Sequence, residues 1–358
     1  MENRYTRHIQ LENIGVSGQN KLAKAKVLVI GAGGLGCPVL QYLTTSGIGT
    51  LGIVDYDTVS ITNLPRQILY TANDIDLQKV VVAKKRLNKL NPDVNIKIFP
   101  DALSIQNCIN LIKQFDIIVD CTDNFNSRYL INDCCIILNK PMVFGALYKF
   151  EGQVSVFNYQ KGPSYRCLFP NPPSPDEVPN CNDIGVLSIL PGIIGLLQAN
   201  EVIKIILNIG DILSGKILYL NTSNYEQRII KFYKNESLVK EIENKETPEA
   251  IKLKDCTFIK SLSLNDLDDI SNVIWIDVRE HLETPLLEFE NLIKVPLSSI
   301  KNTNKIKNDG KQIVFFCQSG IRSQKATKWA LQQGITNCFS LEEGAVTLND
   351  WLKIKYER

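Results

Sequence analysis

Lys26–Ile30 reads KVLVI, and GAGGLG follows it at 31–36. Four consecutive bulky apolar side chains suit a strand buried on both faces. The glycines allow a tight turn and a close backbone approach before the chain enters a helix at 36–46. A second apolar strand, Thr50–Val54, ends at Asp55. Outward from this core the pattern repeats. A helix at 77–90 is stopped by Asn91 and Pro92, a third strand is Asn95–Phe99, a helix covers 104–113, and DIIVD forms a strand at 116–120. Such alternation predicts a Rossmann-like, doubly wound, mainly parallel sheet. Strands at 142–146 and 152–158 follow too closely for a crossover, so they extend the sheet in antiparallel fashion. A Pro-rich loop at 162–179 and an apolar helix at 193–207 complete this part.

After residue 233 the composition turns charged. This predicts a first domain at 1–235, a linker at 236–257 and a small α/β domain at 258–358. The small domain has strands at 273–278 and 312–317, a helix at 323–333, and Trp351 near a final helix. Across the 358 residues, 40 basic and 38 acidic groups nearly cancel, which argues against a charge-driven nucleic-acid binder. No apolar run of about 18 residues is evident, so no membrane span is expected. The N-terminus does not read as a signal peptide, which points to the cytoplasm. Two histidines exclude His-rich metal sites, and ten cysteines without a CxxC pair argue against both a four-thiolate zinc site and a disulfide framework.

The glycine loop opens a helix whose free N–H groups favour phosphates, and Asp55 is placed to accept from ribose hydroxyls. Gly31, Gly33, Gly34, Gly36 and Asp55 are therefore candidate nucleotide contacts, with a packing turn as the plainer alternative. A nicotinamide cofactor is the default for this fingerprint. The polar loop Thr62, Asn63, Leu64, Pro65, Arg66, Gln67, then Lys79, then Asp123 and Asn124 past the fourth strand, suits ATP with Mg²⁺ better. Cations offset phosphate charge, and the Asp123 carboxylate would hold the metal. Surface charges and a turn aspartate are the alternatives.

GAGGLG, the loop from Asp55 to Gln67, Lys79 and CTDN at 121–124 together resemble the ubiquitin-activating-enzyme-like MoeB/ThiF family. The likeness runs over about 4–233. It implies adenylylation of the terminal Gly-Gly carboxylate of a ubiquitin-like sulfur carrier, with release of pyrophosphate. Gly34, Asp55, Asn63, Arg66, Lys79, Asp123 and Asn124 match the family's ATP-site positions. Arg7 matches an arginine that reaches the partner subunit's ATP, which implies a homodimer. Cys181 matches a cysteine that attacks the acyl-adenylate or accepts sulfur. Zinc-binding members carry a CxxC where this chain has Ser164 to Cys167, and a second pair expected after about 230 is missing, so no structural zinc is expected.

Cys317 ends a strand and leads through Gly320 and Arg322 into a helix. Converging N–H groups, a helix N-terminus and an arginine favour a thiolate or persulfide anion. The loop resembles that of rhodanese sulfurtransferases, as do DVRE at 277–280 and Glu343-Gly344 ahead of Trp351 over 259–358, although the usual His-x-x-Gly-Ala segment is degraded at 292–298. The combination looks like MoeB–rhodanese fusions. It implies carrier adenylylation followed by sulfur transfer from a Cys317 persulfide, loaded by an upstream donor such as a cysteine desulfurase, to give a thiocarboxylate. The molybdopterin-synthase small subunit is the first expected carrier, the thiamine-pathway carrier ThiS the alternative. A dehydrogenase and a carrier-binding pseudo-enzyme are the competing readings.

Overall fold

The computed structural model describes residues 4–173, 185–248, 261–264, 267, 272–280, 282–303, 306 and 311–356. Two compact units divide the chain, Met1–Lys254 and Asp255–Arg358.

The first unit holds strands β1 (Lys26–Ile30), β2 (Thr50–Val54), β3 (Asn95–Phe99), β4 (Ile117–Asp120), β5 (Met142–Tyr148), β6 (Glu151–Phe157), β7 (Lys216–Asn221) and β8 (Glu226–Lys231). Its helices are α1 (Thr6–Ile9), α2 (Gly15–Lys24), α3 (Gly36–Thr45), α4 (Lys79–Leu90), α5 (Cys108–Ile112), α6 (Phe125–Ile137), α7 (Tyr165–Leu168), α8 (Leu190–Leu207) and α9 (Glu236–Glu243). The sheet order is β3-β2-β1-β4-β5-β6-β7-β8. Strands from β3 across to β5 pair in parallel, and pairing turns antiparallel from β5 to β8. The period-two logic of β1 is visible in its packing. Val27 and Val29 join one buried cluster with Leu40, Leu43, Leu87 and Val202. Leu28 and Ile30 join another with Ile112, Phe115, Ile131 and Phe144. Both faces are thus covered, as a parallel sheet requires.

Four features correct the sequence reading. The hairpin β7–β8 was not anticipated. Its outer strand β8 is solvated along most of its length, with Ile229 and Ile230 exposed, so no buried alternation marks it. The Pro-rich loop contains the short helix α7, which the Tyr165 ring anchors between Tyr129, Phe144 and Phe157. Helix α8 has 18 residues and a mean hydropathy of 1.5, long and apolar enough by composition to cross a membrane, where no such run was expected. Gln198 and Glu201 break the run to the eye. Both are buried and bonded inside the unit, Gln198 to the Asp120 carbonyl at 2.8 Å and Glu201 to the Leu213 N–H at 3.0 Å and to Lys204. This is how the core helix of a sheet-covered unit behaves.

The fourth correction concerns the linker. Part of it is helix α9, whose first turn is capped by Asn235 accepting from the Leu238 N–H. Val239 and Ile242, three apart, share one face and bury against Ile136 of α6. The second unit is a separate five-stranded parallel sheet of order β11-β10-β12-β13-β9. Its strands are β9 (Ser261–Leu262), β10 (Val273–Asp277), β11 (Leu292–Lys294), β12 (Gln312–Phe316) and β13 (Cys338–Leu341), with helices α10 (Ile321–Gln332) and α11 (Ala345–Tyr356). Its core joins Trp275, Phe316, Leu341 and Leu348 on one side, and Ile276, Phe315, Ala326 and Ala330 on the other.

The docking of α9 predicts slow hydrogen exchange at Val239 and Ile242 in the full chain. Ile242→Ala should reduce that protection by about 2 kcal/mol. Fast exchange there in the unaltered chain would restore the linker reading.

Candidate active site

The strand order reverses direction at β1, with β2 and β3 on one side and β4 on the other. Ligands of open α/β sheets bind at such a switch point, beyond the strands' carboxyl ends. The β1 exit carries the glycine loop, and the β4 exit carries Cys121, Thr122, Asp123 and Asn124. The two are physically joined. The Cys121 N–H donates to the Ile30 carbonyl at 2.9 Å. Gly31 has φ +99°, and a Cβ on it would lie 2.5 Å from the Cys121 carbonyl oxygen. On Gly36 a Cβ would lie 2.0 Å from the Gly31 carbonyl oxygen. The turn is therefore too tight for side chains. Tyr70 secures it by donating its hydroxyl to the Ala32 carbonyl at 2.8 Å.

Asp55 meets the same turn. One carboxylate oxygen accepts the Ala32 N–H at 2.7 Å and the other the Asp57 N–H at 2.8 Å. Burial pushes this carboxyl above the usual carboxylate range, while the charge of Lys79 and the two amides pull it back. Lys79 opens α4 and is buried, with Nζ 2.8 Å from an Asp57 oxygen that faces solvent. Asp57 holds this cation beside the cradle. Asp123, Asp55, Asp57 and Lys79 all act electrostatically on the Tyr56 hydroxyl, whose proton is held above the usual range chiefly by Asp57. The sequence candidates on β2, α4 and the β4 loop thus converge.

Arg66 sits above the loop. Its Nη1 donates to the Thr62 carbonyl at 2.9 Å and its N–H to the Asn63 carbonyl at 3.1 Å, and its carbonyl oxygen lies 3.5 Å from where a Cβ on Gly34 would stand. Asn124 uses its side-chain oxygen to cap α6, accepting the Ser127 N–H at 2.9 Å. Arg7 is exposed on α1, which packs on α2. Cys181 lies outside the described residues.

Three supporting groups were given no role of their own in the sequence reading, although Gln67 stands in the polar loop quoted there. Gln67 is buried beside Gly33, and its Oε1 has no partner among the described residues. Its place directly after Arg66 was the available signal. Asp120, fully buried, accepts the Thr122 N–H and hydroxyl with one oxygen and Arg128 Nε at 3.1 Å with the other. Arg128 also lies over the Phe144 ring at 4.8 Å and donates to the Thr122 carbonyl. Nothing in a strand-ending aspartate announces this network.

Cys167 has a defined environment. Its sulfur lies 3.4 Å from the Ser164 N–H, 3.3 Å from the Ser164 hydroxyl and 3.3 Å from the Asn235 N–H. The donors thus come from the α7 cap and the start of α9. No group of three or more His, Cys, Asp or Glu able to hold a metal occurs among the described residues.

In the second unit, Cys317 follows β12 and is fully buried. Its thiol donates to the Ser323 hydroxyl oxygen at 3.6 Å, and Ser323 in turn donates to the Gly320 carbonyl at 2.7 Å. Gly320 has φ +84° and precedes α10. Gly344 closes the loop from the other side. A Cβ there would lie 2.2 Å from the Gln318 carbonyl oxygen, and the next N–H, of Ala345, donates to the Cys317 carbonyl at 3.0 Å. Glu343 ties β9 in place by accepting from the Leu264 N–H and the Ser263 hydroxyl. Around the loop stand two arginines. Arg279 is buried against Asp277 and reaches Gln318 at 3.4 Å. Both Nη atoms of Arg322 bond Glu283, at 2.5 Å each. Hydrogen bonds from Arg322 bring the Glu283 carboxyl down to about 2.

A doubly wound unit with a tight glycine turn, a buried lysine and a carboxylate-bearing β4 loop, on one chain with a thiol-bearing parallel α/β unit, has the architecture of a two-domain nucleotide-dependent enzyme. The chain belongs to the ThiF family, whose pattern matches residues 5–240, and residues 262–350 match the rhodanese-like domain. It is 47% identical over 220 residues to the sulfur carrier protein adenylyltransferase of Thermus thermophilus, covering 60% of this chain and 81% of that one. It is 41% identical over 324 residues to the adenylyltransferase and sulfurtransferase MOCS3 of Xenopus laevis, covering 84% of this chain and 71% of that one. The fold is similar to that of E. coli MccB with ATP, at a TM-score of 0.57 and 24% identity, over 65% of this chain and 73% of that one.

Two measurements check this geometry. Arg128→Met leaves the Asp120 charge buried without its partner, so amide protection in β4 of the full chain should fall by about 3 kcal/mol. Asp120→Asn combined with Arg128→Met should lose less. Glu283, held below its ordinary value, contributes stability above about pH 4.5 that is lost as the pH falls towards about 2. Side-chain NMR should place its midpoint near the lower value, returning to the ordinary range in Arg322→Gln.

Proposed function

We propose that this chain adenylylates the C-terminal Gly-Gly carboxylate of a ubiquitin-like sulfur carrier at the expense of ATP. A Cys317 persulfide then displaces AMP to form an acyl disulfide with the carrier, and a second thiol attacks the Cys317 sulfur, releasing the thiocarboxylate and leaving a disulfide. The observation that carries the reading is the meeting of the glycine turn, Asp55, Lys79 and the Asp123 loop at one switch point, on the chain that also bears the Cys317 loop.

The turn would accommodate phosphates because its glycines set no side chains in their way. Asp55 keeps acceptor capacity for ribose hydroxyls. Lys79 would exchange Asp57 for a phosphate oxygen, and Arg66 would offset charge on the departing pyrophosphate. Asp123 would hold Mg²⁺, which offsets phosphate charge when bound, and Asn124 and Thr62 would line the same pocket. The carrier carboxylate attacks the α-phosphorus already ionised, so no general base is required. Arg7 would complete the site of a second subunit in a homodimer. Cys181 would receive the carrier's acyl group or sulfur. A cytoplasmic setting suits the free thiols. The molybdopterin-synthase small subunit is the first choice of carrier and the thiamine-pathway carrier the second. A persulfide-bearing protein would load Cys317.

The test is carrier-dependent ATP–pyrophosphate exchange. Exchange should require an intact Gly-Gly end and fall at least about 100-fold in Asp123→Ala. Cys317→Ser should keep exchange yet form no thiocarboxylate. Tight ATP binding without exchange on any carrier would overturn the reading.

A further inference from the structure

The charges around Cys317 are arranged unlike a receptor for small anions. Arg322, in the persulfide loop, has both Nη atoms committed to the two oxygens of Glu283. Arg279 is committed to Asp277 through Nε and Nη2. The loop residue next to the thiol, Gln318, is neutral, and is itself held by Arg279 and by the Thr284 carbonyl at 3.2 Å. Glu280 adds a further carboxylate, which accepts from the Ser298 hydroxyl and acts on Arg322. Three carboxylates, Asp277, Glu280 and Glu283, therefore face two guanidiniums across this rim.

We infer that Glu283 determines sulfur-donor specificity: by occupying Arg322, it denies that cation to a dianionic donor such as thiosulfate and reserves Cys317 for the less charged persulfide of a protein cysteine. The inference rests on the reading of Cys317 as the sulfur carrier. In the disfavoured reaction the Cys317 thiolate, its proton lost to solvent, attacks the outer sulfur of thiosulfate. A new S–S bond forms, the sulfur–sulfur bond of thiosulfate breaks, and sulfite leaves with the electron pair. Three negative charges enter and three leave, so the approach is sensitive to one local cation. Glu283→Gln removes a negative charge and frees a guanidinium together.

The experiment uses the full chain with cyanide as acceptor and compares thiosulfate with the monoanion benzenethiosulfonate. In Glu283→Gln, kcat/KM for thiosulfate should rise about fivefold through a lower KM, while benzenethiosulfonate changes less than about twofold. The gain should shrink as salt is added. Glu283→Asp should retain the original donor ratio, and Glu283→Gln should bring no gain in an Arg322→Met background. A merely structural role would instead lower both donors together, and that outcome, or an unchanged ratio, overturns the proposal. Mass spectrometry of Cys317 separates the two levels. An added sulfur with an unchanged donor ratio sinks the donor inference alone. No added sulfur and no thiocyanate from either donor sinks the carrier reading and this inference with it.

Discussion

Asp120 is a carboxylate that no water reaches, and the first unit is arranged to satisfy it. A buried ion costs several kcal/mol unless charge and hydrogen bonds replace its hydration. Arg128 supplies the charge, Thr122 supplies two donors, and Gln198 takes up the backbone carbonyl of the same residue. These bonds fix the exit of β4, and that exit forms one wall of the switch point. They also reach outward. Arg128 lies over Phe144, which packs on Tyr165 of α7, and the α7 cap meets α9 at the Cys167 sulfur. The cradle, the core helix α8 and the end of the domain are thereby linked through one aspartate.

Much of this was legible because glycine and strand patterns carry their reason with them. GAGGLG between two apolar strands admits few structures, and the contacts a Cβ would make at Gly31 and Gly36 explain why. The site candidates on β2, α4 and the β4 loop could be read for the same reason, since topology brings strand ends together. What stayed hidden depends on partners far apart in sequence. The pairing of Lys79 with Asp57 and of Arg128 with Asp120 needs the fold to be known. Helix α9 was hidden because Glu236, Lys240, Glu241 and Glu243 outweigh its three apolar residues, Leu238, Val239 and Ile242, in a composition average. β8 was hidden because an outer strand with solvated faces has little alternation to display.

The two units handle thiols differently. Cys37, Cys121 and Cys135 are buried, and desolvation pushes their thiols upward, which makes them inert packing groups. Cys167 is an acceptor for backbone N–H groups and joins α7 to α9 through hydrogen bonds. Cys317 is also enclosed, yet it lies in the loop ahead of α10, with its thiol on Ser323 and with Gln318 and Arg322 held by Arg279 and Glu283.

The close approach of Gly344 to Gln318 has a consequence for how this loop can diversify. Two segments, one after β12 and one after β13, touch with no room for a side chain, and the Ala345 N–H pins the Cys317 carbonyl between them. A side chain at 344 would drive the two segments apart. The shape of this loop is therefore held by backbone contacts between two segments far apart in sequence, and position 344 is restricted to glycine.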